Sequence, residues 1–391
     1  MKRQVKIPEV LFFQEGPGVR NTQYTSSGVK LLNVANLVNG KVDLSTSDRF
    51  ISNDEAYNKY SHFLCERGDF IVASSGIKVE YIDKKMGFIT EEMLPLCMNT
   101  STIRFRSLNH EVLNIRYFMY YLKSQHFKLQ LERHITGSAQ LNYGPSHLAK
   151  MTIPLVDIYI QDSIVKKLDT LSRVMDYRRA QLTKLDELVK CRFVELFGDP
   201  LAPKAKWKTT SFGSEFEIFS GGTPSTSVSE YWDNGTIPWI GSNMCQDVIL
   251  SSTDGKYITE EGFNKSSAKW AHAGYVIVAL VGATIGKTAL LTISTTTNQN
   301  VASVNVPGNT NYTPEYVYML MRFLYAKFME LGNGGFKMAN LGFIRQLPLP
   351  SPPIDIQREY SDFMNRIDKL RKLGEERRKM GDKRRNWVSK H

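Results

Sequence analysis

The chain has 391 residues, 42% hydrophobic and 23% charged, a globular composition with room for two or three domains. Its net charge of +11 and pI of about 9.3 favour a polyanionic partner. Cys65, Cys97, Cys191 and Cys245 form no CxxC or Cys/His ligand spacing, so neither a zinc site nor a disulfide framework is indicated, and a reducing cytoplasm is the expected setting.

The start, MKRQVKIPEVLFF, has too short an apolar run for a secretory signal, and no apolar run approaches the length of a membrane span. Residues 1–150 then alternate short strand-like runs with turns. A GPG turn at 16–18 stands beside Arg20. VKLLNVANL (29–37), GDFIVASSG (68–76) and STIRFR (101–106) read as strands, and 115–132, rich in aromatics, reads as a helix. The apolar MTIPLVDIYIQ (151–161) follows.

From Gln161 the pattern changes to steps of four and three: Ile164, Leu168, Leu171, Met175, then Leu182, Leu185 and Val189, with Arg178 out of pattern. This is an a/d seam in one long helix, which Gly198 and Pro200 terminate. So narrow a seam needs a partner helix.

The second half repeats the first. IPWIGSNM (237–244) matches KLLNVANL at an offset of 207, GYVIVALVG (274–282) matches GDFIVASSG at 206, and EYVYMLMRFL (315–324) matches RYFMYYLKSQ at 199. LPLPSPPIDIQ (347–357) matches the proline strand at 196, and a second seam begins with Tyr360, Met364, Ile367 and Leu370. Gly374 and Gly381 are expected to interrupt it. The order of blocks indicates a duplicated domain plus helix rather than a short-period repeat. The fold expected is α+β: two similar α/β domains joined by two long helices in an antiparallel coiled coil with pseudo-two-fold symmetry. The boundaries fall at 1–156, 157–200, 201–352 and 353–391. Ile164 to Val189 would span roughly 39 Å at 1.5 Å per residue, close to one turn of duplex DNA at roughly 34–36 Å.

Several features together carry a resemblance: the order domain, helix, domain, helix; FxxxFGDP at 193–200; GGTPS at 221–225; IPWI at 237–240; and a glutamine opening each helix. The chain resembles the specificity subunit of a type I restriction-modification system over nearly all its length. It departs from the pattern at its KRRNWVSKH end and at the GPG turn, which is only loosely like GGTPS. The resemblance implies two target-recognition domains on a coiled-coil spacer that read an asymmetric bipartite site in double-stranded DNA. It implies as partners two modification subunits, which use S-adenosylmethionine to methylate adenine at N6, and restriction subunits that use ATP and magnesium. It implies no cofactor and no catalysis for this chain itself. A methylase assembly without its nuclease is the nearest alternative.

Other functional classes find weak support in the residues. GATIGKT (282–288) approximates a phosphate-binding loop, but Val281 stands where its first glycine belongs and β-rich sequence follows where a helix is needed. SPPI (351–354) lacks the aromatic residue of an amino-methyltransferase motif. The scattered histidines and cysteines give no metal or nucleophile constellation. A coiled-coil adaptor whose globular ends bind protein remains the rival of another kind.

Base recognition uses ordinary polar side chains, arginine and lysine for guanine and asparagine and glutamine for adenine. The candidates, all in turns between matched strands, are Arg20, Asn36, Ser74, Ser75, Lys78, Gln140 and Asn142 in the first half. In the second half they are Thr223, Ser225, Asn243, Thr284, Lys287, Asn298, Gln299 and Lys337. Asn36 and Asn243 occupy matched positions, which also fits a scaffold role such as capping a turn. The GNGGF segment at 332–336 reads as a flexible loop.

Overall fold

The computed structural model describes residues 3–135, 141–202, 206–331 and 338–390. They fall into two compact units, Met1–Tyr177 with Arg377–His391, and Arg178–Glu376. Each is built around a twice-buried strand. Phe70 and Val72 of Phe70–Ala73 point into one core while Ile71 and Ala73 point into another. In the second unit Val276 and Val278 of Val276–Ala279 face one core and Ile277 and Ala279 the next. Alternation along a strand sends neighbours to opposite faces, so an unbroken apolar run is what a strand covered on both sides requires.

The surrounding topology is duplicated. The first unit orders Leu11–Glu15, Thr102–Ser107, Phe70–Ala73 and Met86–Phe88 in one antiparallel sheet. The second orders Ile218–Ser220, Val301–Val304, Val276–Ala279 and Thr288–Leu291 the same way, then adds Val248–Leu250 in parallel. Beside each lies a smaller sheet with one parallel pair, Leu96–Met98 on Val29–Leu32 and Thr295–Thr297 on Ile237–Ile240. The helix expected over 115–132 is two helices, Ile115–Leu122 and Gln125–His134. Ser124 breaks it, because its hydroxyl accepts from the Phe127 amide and starts the second helix as an N-cap.

The long helices are Ile158–Phe197 and Ile354–Lys390. Gly198, at φ +83°, ends the first, and its amide reaches back to the Val194 carbonyl at 2.8 Å. In the first unit Val165 and Met175 are buried, Ile164, Leu168 and Leu171 are half-buried, and Ile164 and Val165 pack on the module core. In the second unit the helices run antiparallel. Arg192 pairs with Glu359, the Tyr360 hydroxyl donates to the Val189 carbonyl at 3.4 Å, Asp186 pairs with Arg371, and Leu182 lies against Gly374.

Two expectations about the second seam are corrected here. Leu370 lies outside it, 54% exposed, because continuing the four-and-three step from Ile367 lands on Arg371 and then Gly374. Gly374 does not interrupt the seam, which continues there against Leu182, and the helix itself runs unbroken through both glycines to Lys390. A Cβ at Gly374 would come 3.2 Å from Leu182 Cδ2, so glycine there lets the partner side chain close in. The seam then merges with the module core through Phe193, Phe197, Tyr316, Phe323 and Tyr360, whose rings pack at 4.8–5.6 Å. Phe193 and Phe197 are the aromatic positions of FxxxFGDP.

Each long helix is fastened to its module by one buried glutamine. Gln161 Oε1 accepts from the Asn114 amide at 3.0 Å, and its Nε2 donates to the Val112 and Val156 carbonyls at 2.8 Å. Gln357 repeats this with the Thr313 amide at 3.0 Å and the Asn311 and Pro352 carbonyls at 3.0 and 2.9 Å. Asn114 and Thr313 are the N-caps of Ile115–Leu122 and Pro314–Phe323. The preceding proline strand is held the same way twice: Tyr117 donates to the Pro154 carbonyl at 2.7 Å and Tyr316 to that of Pro350 at 2.9 Å. The first module adds an ionic clamp, with Arg116 on both oxygens of Asp169 at 3.1 and 2.6 Å and the Tyr120 hydroxyl at 2.5 Å. Burial works to raise the Asp169 pKa, but the Arg116 and Tyr120 hydrogen bonds outweigh it and hold the carboxyl below its ordinary 3.8.

Gln357→Met should therefore destabilise the second unit by about 3 kcal/mol or more, since it strands three backbone groups that cost roughly 1–3 kcal/mol each when unpaired. A thermal midpoint within a degree of wild type would refute that role. Asp169→Asn should lower the urea midpoint by a constant amount over about pH 5 to 8. The depressed carboxyl contributes fully above its unfolded pKa, and its contribution disappears as pH falls through the folded one, so the gap between wild type and variant should close only in acid.

Candidate nucleic-acid interface

Exposed turns at the strand ends carry the candidate residues, and the structure divides them into presented and internal groups. Asn36 is fully buried. Its Oδ1 accepts from the Asn33 amide at 2.9 Å and its Nδ2 donates to the Asp43 carbonyl at 3.1 Å. Asn33 in turn accepts from Asn99 Nδ2 at 2.8 Å. Ser74 is 1% exposed, and its hydroxyl donates to Glu15 at 3.2 Å. Neither side chain reaches the surface: Asn36 takes the scaffold role that its matched position also suggested, and Ser74 is corrected from a base-contact candidate to a scaffold residue. Asn243, matched to Asn36 in sequence, is exposed, so the two positions have diverged.

Ser75 and Asn142 face each other across a short strand pair, and Asn142 is exposed. Lys78 is exposed and 4.0 Å from Glu80. Gln140, Lys337 and the 332–336 segment lie outside the described residues.

In the second unit the GGTPS turn packs against the 297–300 loop. A Cβ at Gly221 would come 1.8 Å from the Thr297 carbonyl oxygen and one at Gly222 2.2 Å from Ser267 Oγ, so only glycine fits. Trp239 Nε1 donates to the Gly222 carbonyl at 2.9 Å and Trp232 Nε1 to that of Ser225 at 3.1 Å. On this fixed turn Thr223 donates to Gln299 Oε1 at 2.5 Å, and Ser225 is exposed. Asn298 is held by its amide on the Ile240 carbonyl at 3.0 Å, and Asn243 and Asn298 approach across Gly241. Thr223, Ser225, Asn243, Asn298 and Gln299 thus cluster, two tryptophans holding the turn from below. The tryptophans went unremarked as turn anchors; the spacing of Trp232 and Trp239 after GGTPS was the available signal.

Thr284 sits in a tight turn at Gly282–Thr284, and Lys287 Nζ is 3.2 Å from Asp247 and 5.8 Å from the Tyr325 ring centroid, a half-buried ion pair rather than a free cation. The strand Thr288–Leu291 follows directly. The GATIGKT loop therefore has no helix N-terminus to receive a phosphate.

Burial pushes the Cys97 thiol up to about 12, and those of Cys65 and Cys245 higher still, so all three are protonated at neutral pH. Among the described residues no three His, Cys, Asp or Glu side chains converge as a metal site, and no helix is long and apolar enough to cross a membrane.

A family model described as the type I restriction modification DNA specificity domain matches residues 19–187 and again 204–379. The chain belongs to that family. Among curated relatives, the specificity subunit of the Escherichia coli type I restriction enzyme EcoR124I/EcoR124II is 27% identical over 237 residues, 56% of each chain. The MjaVIII specificity subunit of Methanocaldococcus jannaschii is 24% identical over 190 residues, 48% of this chain and 43% of that one. The specificity chain thus spans about half the length of the curated relatives it matches.

Two solved structures share the fold over 99% of the chain at 15% identity. A type I restriction-modification S subunit from M. genitalium gives a TM-score of 0.58 with 95% of that chain covered. A chain from a study of assembly and conformational transition in the type I system gives 0.57 with 96% covered. The duplication read from the residues is thus also a repeated family domain, and the long helices belong to the shared fold.

Asn36→Ala in this specificity chain should cost about 1–3 kcal/mol, the penalty for stranding buried polar partners, and should leave the recognised DNA sequence unchanged. Unfolding midpoints together with the methylated motif check both halves of this expectation, and an altered motif in a stable variant would reinstate Asn36 as a reader.

Proposed function

We propose that the chain is the non-catalytic DNA-reading subunit of a type I complex and recognises a bipartite, asymmetric site, one half per module. Partner subunits supply the chemistry: two modification subunits that methylate adenine at N6 with S-adenosylmethionine, and restriction subunits driven by ATP and magnesium. The observation that carries this reading is the repetition of one scaffold with different exposed turns. Gly221 and Gly222 fix a polar turn of Thr223 and Ser225 in the second module, while the first presents Gly18 and Arg20. Equal scaffolds with unequal edges suit two different half-sites, and the net charge of +11 suits the phosphate backbone.

The direct test is to express the chain with its modification subunit and map methylated adenines across a host genome. The expected result is one motif of two specified halves separated by a fixed unspecified gap. Methylation at a continuous motif would overturn the bipartite reading, and ATP hydrolysis by the purified chain alone would overturn the non-catalytic one. Replacing residues 1–150 by the matching domain of a relative should change one half of the motif and preserve the other.

The length of helix joining the modules is proposed to set the gap. One heptad inserted after Arg178 and another after Glu376 leaves the contacts from Leu182 with Gly374 through Arg192 with Glu359 intact. The insertion adds about 10 Å of helix, or roughly three base pairs at 3.4 Å rise. It also turns one half-site around the duplex, so the expected outcome is a longer gap or loss of methylation in a folded protein. A folded variant that methylates at the original gap would refute the ruler.

A further inference from the structure

The glycine after the first strand of the main sheet is packed alike in both modules, although the sequences GPGVR and GGTPS barely resemble each other. Gly16 follows Leu11–Glu15, and a Cβ on it would come 2.0 Å from the Asn99 carbonyl oxygen. Gly221 follows Ile218–Ser220 and stands in the same relation to the Thr297 carbonyl oxygen, at 1.8 Å. Asn99 and Thr297 mark the ends of equivalent strands, each parallel to its neighbour. Counting on from the two glycines pairs Gly18 with Thr223 and Arg20 with Ser225.

We propose that Arg20 is the guanine-reading residue of the first module, that Gln23 is its positioning residue, and that Ser225 leaves the second module without a guanidinium at the matched place. The inference rests on the reading of the chain as a DNA-recognition subunit.

Three observations support it. Arg20 is exposed and has no carboxylate partner among the described residues. Its backbone is fixed from both sides. Val19 is buried, and the Arg20 amide donates to Gln23 Oε1 at 3.1 Å while Gln23 Nε2 donates to Glu55 at 2.6 Å and to the Tyr60 hydroxyl at 3.1 Å. Lys59, 3.8 Å from Glu55, offsets the charge of that carboxylate. Finally, Asn21 and Thr22 beside it are also exposed, so the edge of the turn is polar and open. A free planar fork on a rigid turn matches what bidentate contact with guanine O6 and N7 requires.

The test compares methylated motifs made by the complex with its modification subunit, using the wild type, Arg20→Ala, Arg20→Lys and Gln23→Met. Arg20→Ala should lose the guanine requirement at one position of the first-module half-site, discrimination there falling by about tenfold or more. The other half-site and the gap should stay as they were. Arg20→Lys keeps the charge without the fork and should relax the same position. Gln23→Met should do so with Arg20 intact, a change of motif that simple destabilisation would not produce. Thermal midpoints identify any variant that fails to fold, and the conservative lysine variant then decides.

An unchanged motif in a folded Arg20→Ala or Arg20→Lys would overturn the inference. So would a uniform drop in methylation at all sequences that lysine restores, which marks a phosphate contact. A wild-type complex with no bipartite motif would instead overturn the recognition reading itself.

Discussion

Two buried glutamines hold the architecture together. At the foot of each long helix a carboxamide accepts from the N-cap amide of the module's aromatic helix and donates to two carbonyls, one of them in the segment that leads into its own helix. A carboxamide is suited to this because it donates and accepts within one small rigid plane. Leucine or methionine would fill the volume and leave three backbone groups without partners. The joint therefore transmits the direction of the helix to the sheet without a flexible linker.

The second dependence is on strands covered on both faces. Since Phe70–Ala73 and Val276–Ala279 have no solvent side, their sequences are constrained throughout. Freedom to vary is left to the turns at the strand ends, where Arg20 and Ser225 occupy the same place with unlike chemistry. The division between constrained strands and open turns is what allows one scaffold to carry two unlike sets of turn residues.

Much of this was legible in the residues because each signal was local and repeated. The buried strands announce themselves as FIVA and VIVA, and the glutamine after each proline strand recurs at a fixed offset. What escaped was settled by three-dimensional context. Asn36 and Ser74 look like loop residues, but the chain folds over them and their amide and hydroxyl groups complete an internal network. Ser124 reads as one more residue of a helix until its hydroxyl caps the next one. Leu370 has the right hydrophobicity for the seam, but one residue of phase moves it to the solvent side. Gln23 was invisible as a support because its partners Glu55 and Tyr60 are more than 30 residues away.

Gly374, against Leu182, and Arg371, against Asp186, both have a counterpart one heptad later in the sequence, Gly381 and Arg378. Sliding the second helix by two turns would thus return a glycine to Leu182 and an arginine to Asp186. Neither contact can tell the two alignments apart. The aromatic and aliphatic positions can, because the same slide would put Ile367 in place of Tyr360 against Phe193 and Phe197, and Arg371 and Gly374 in place of Met364 and Ile367 beside Val189, Tyr318 and Met319. The phase of the helix pair is therefore decided at the end nearest the module core, and the ionic stretch beyond it follows.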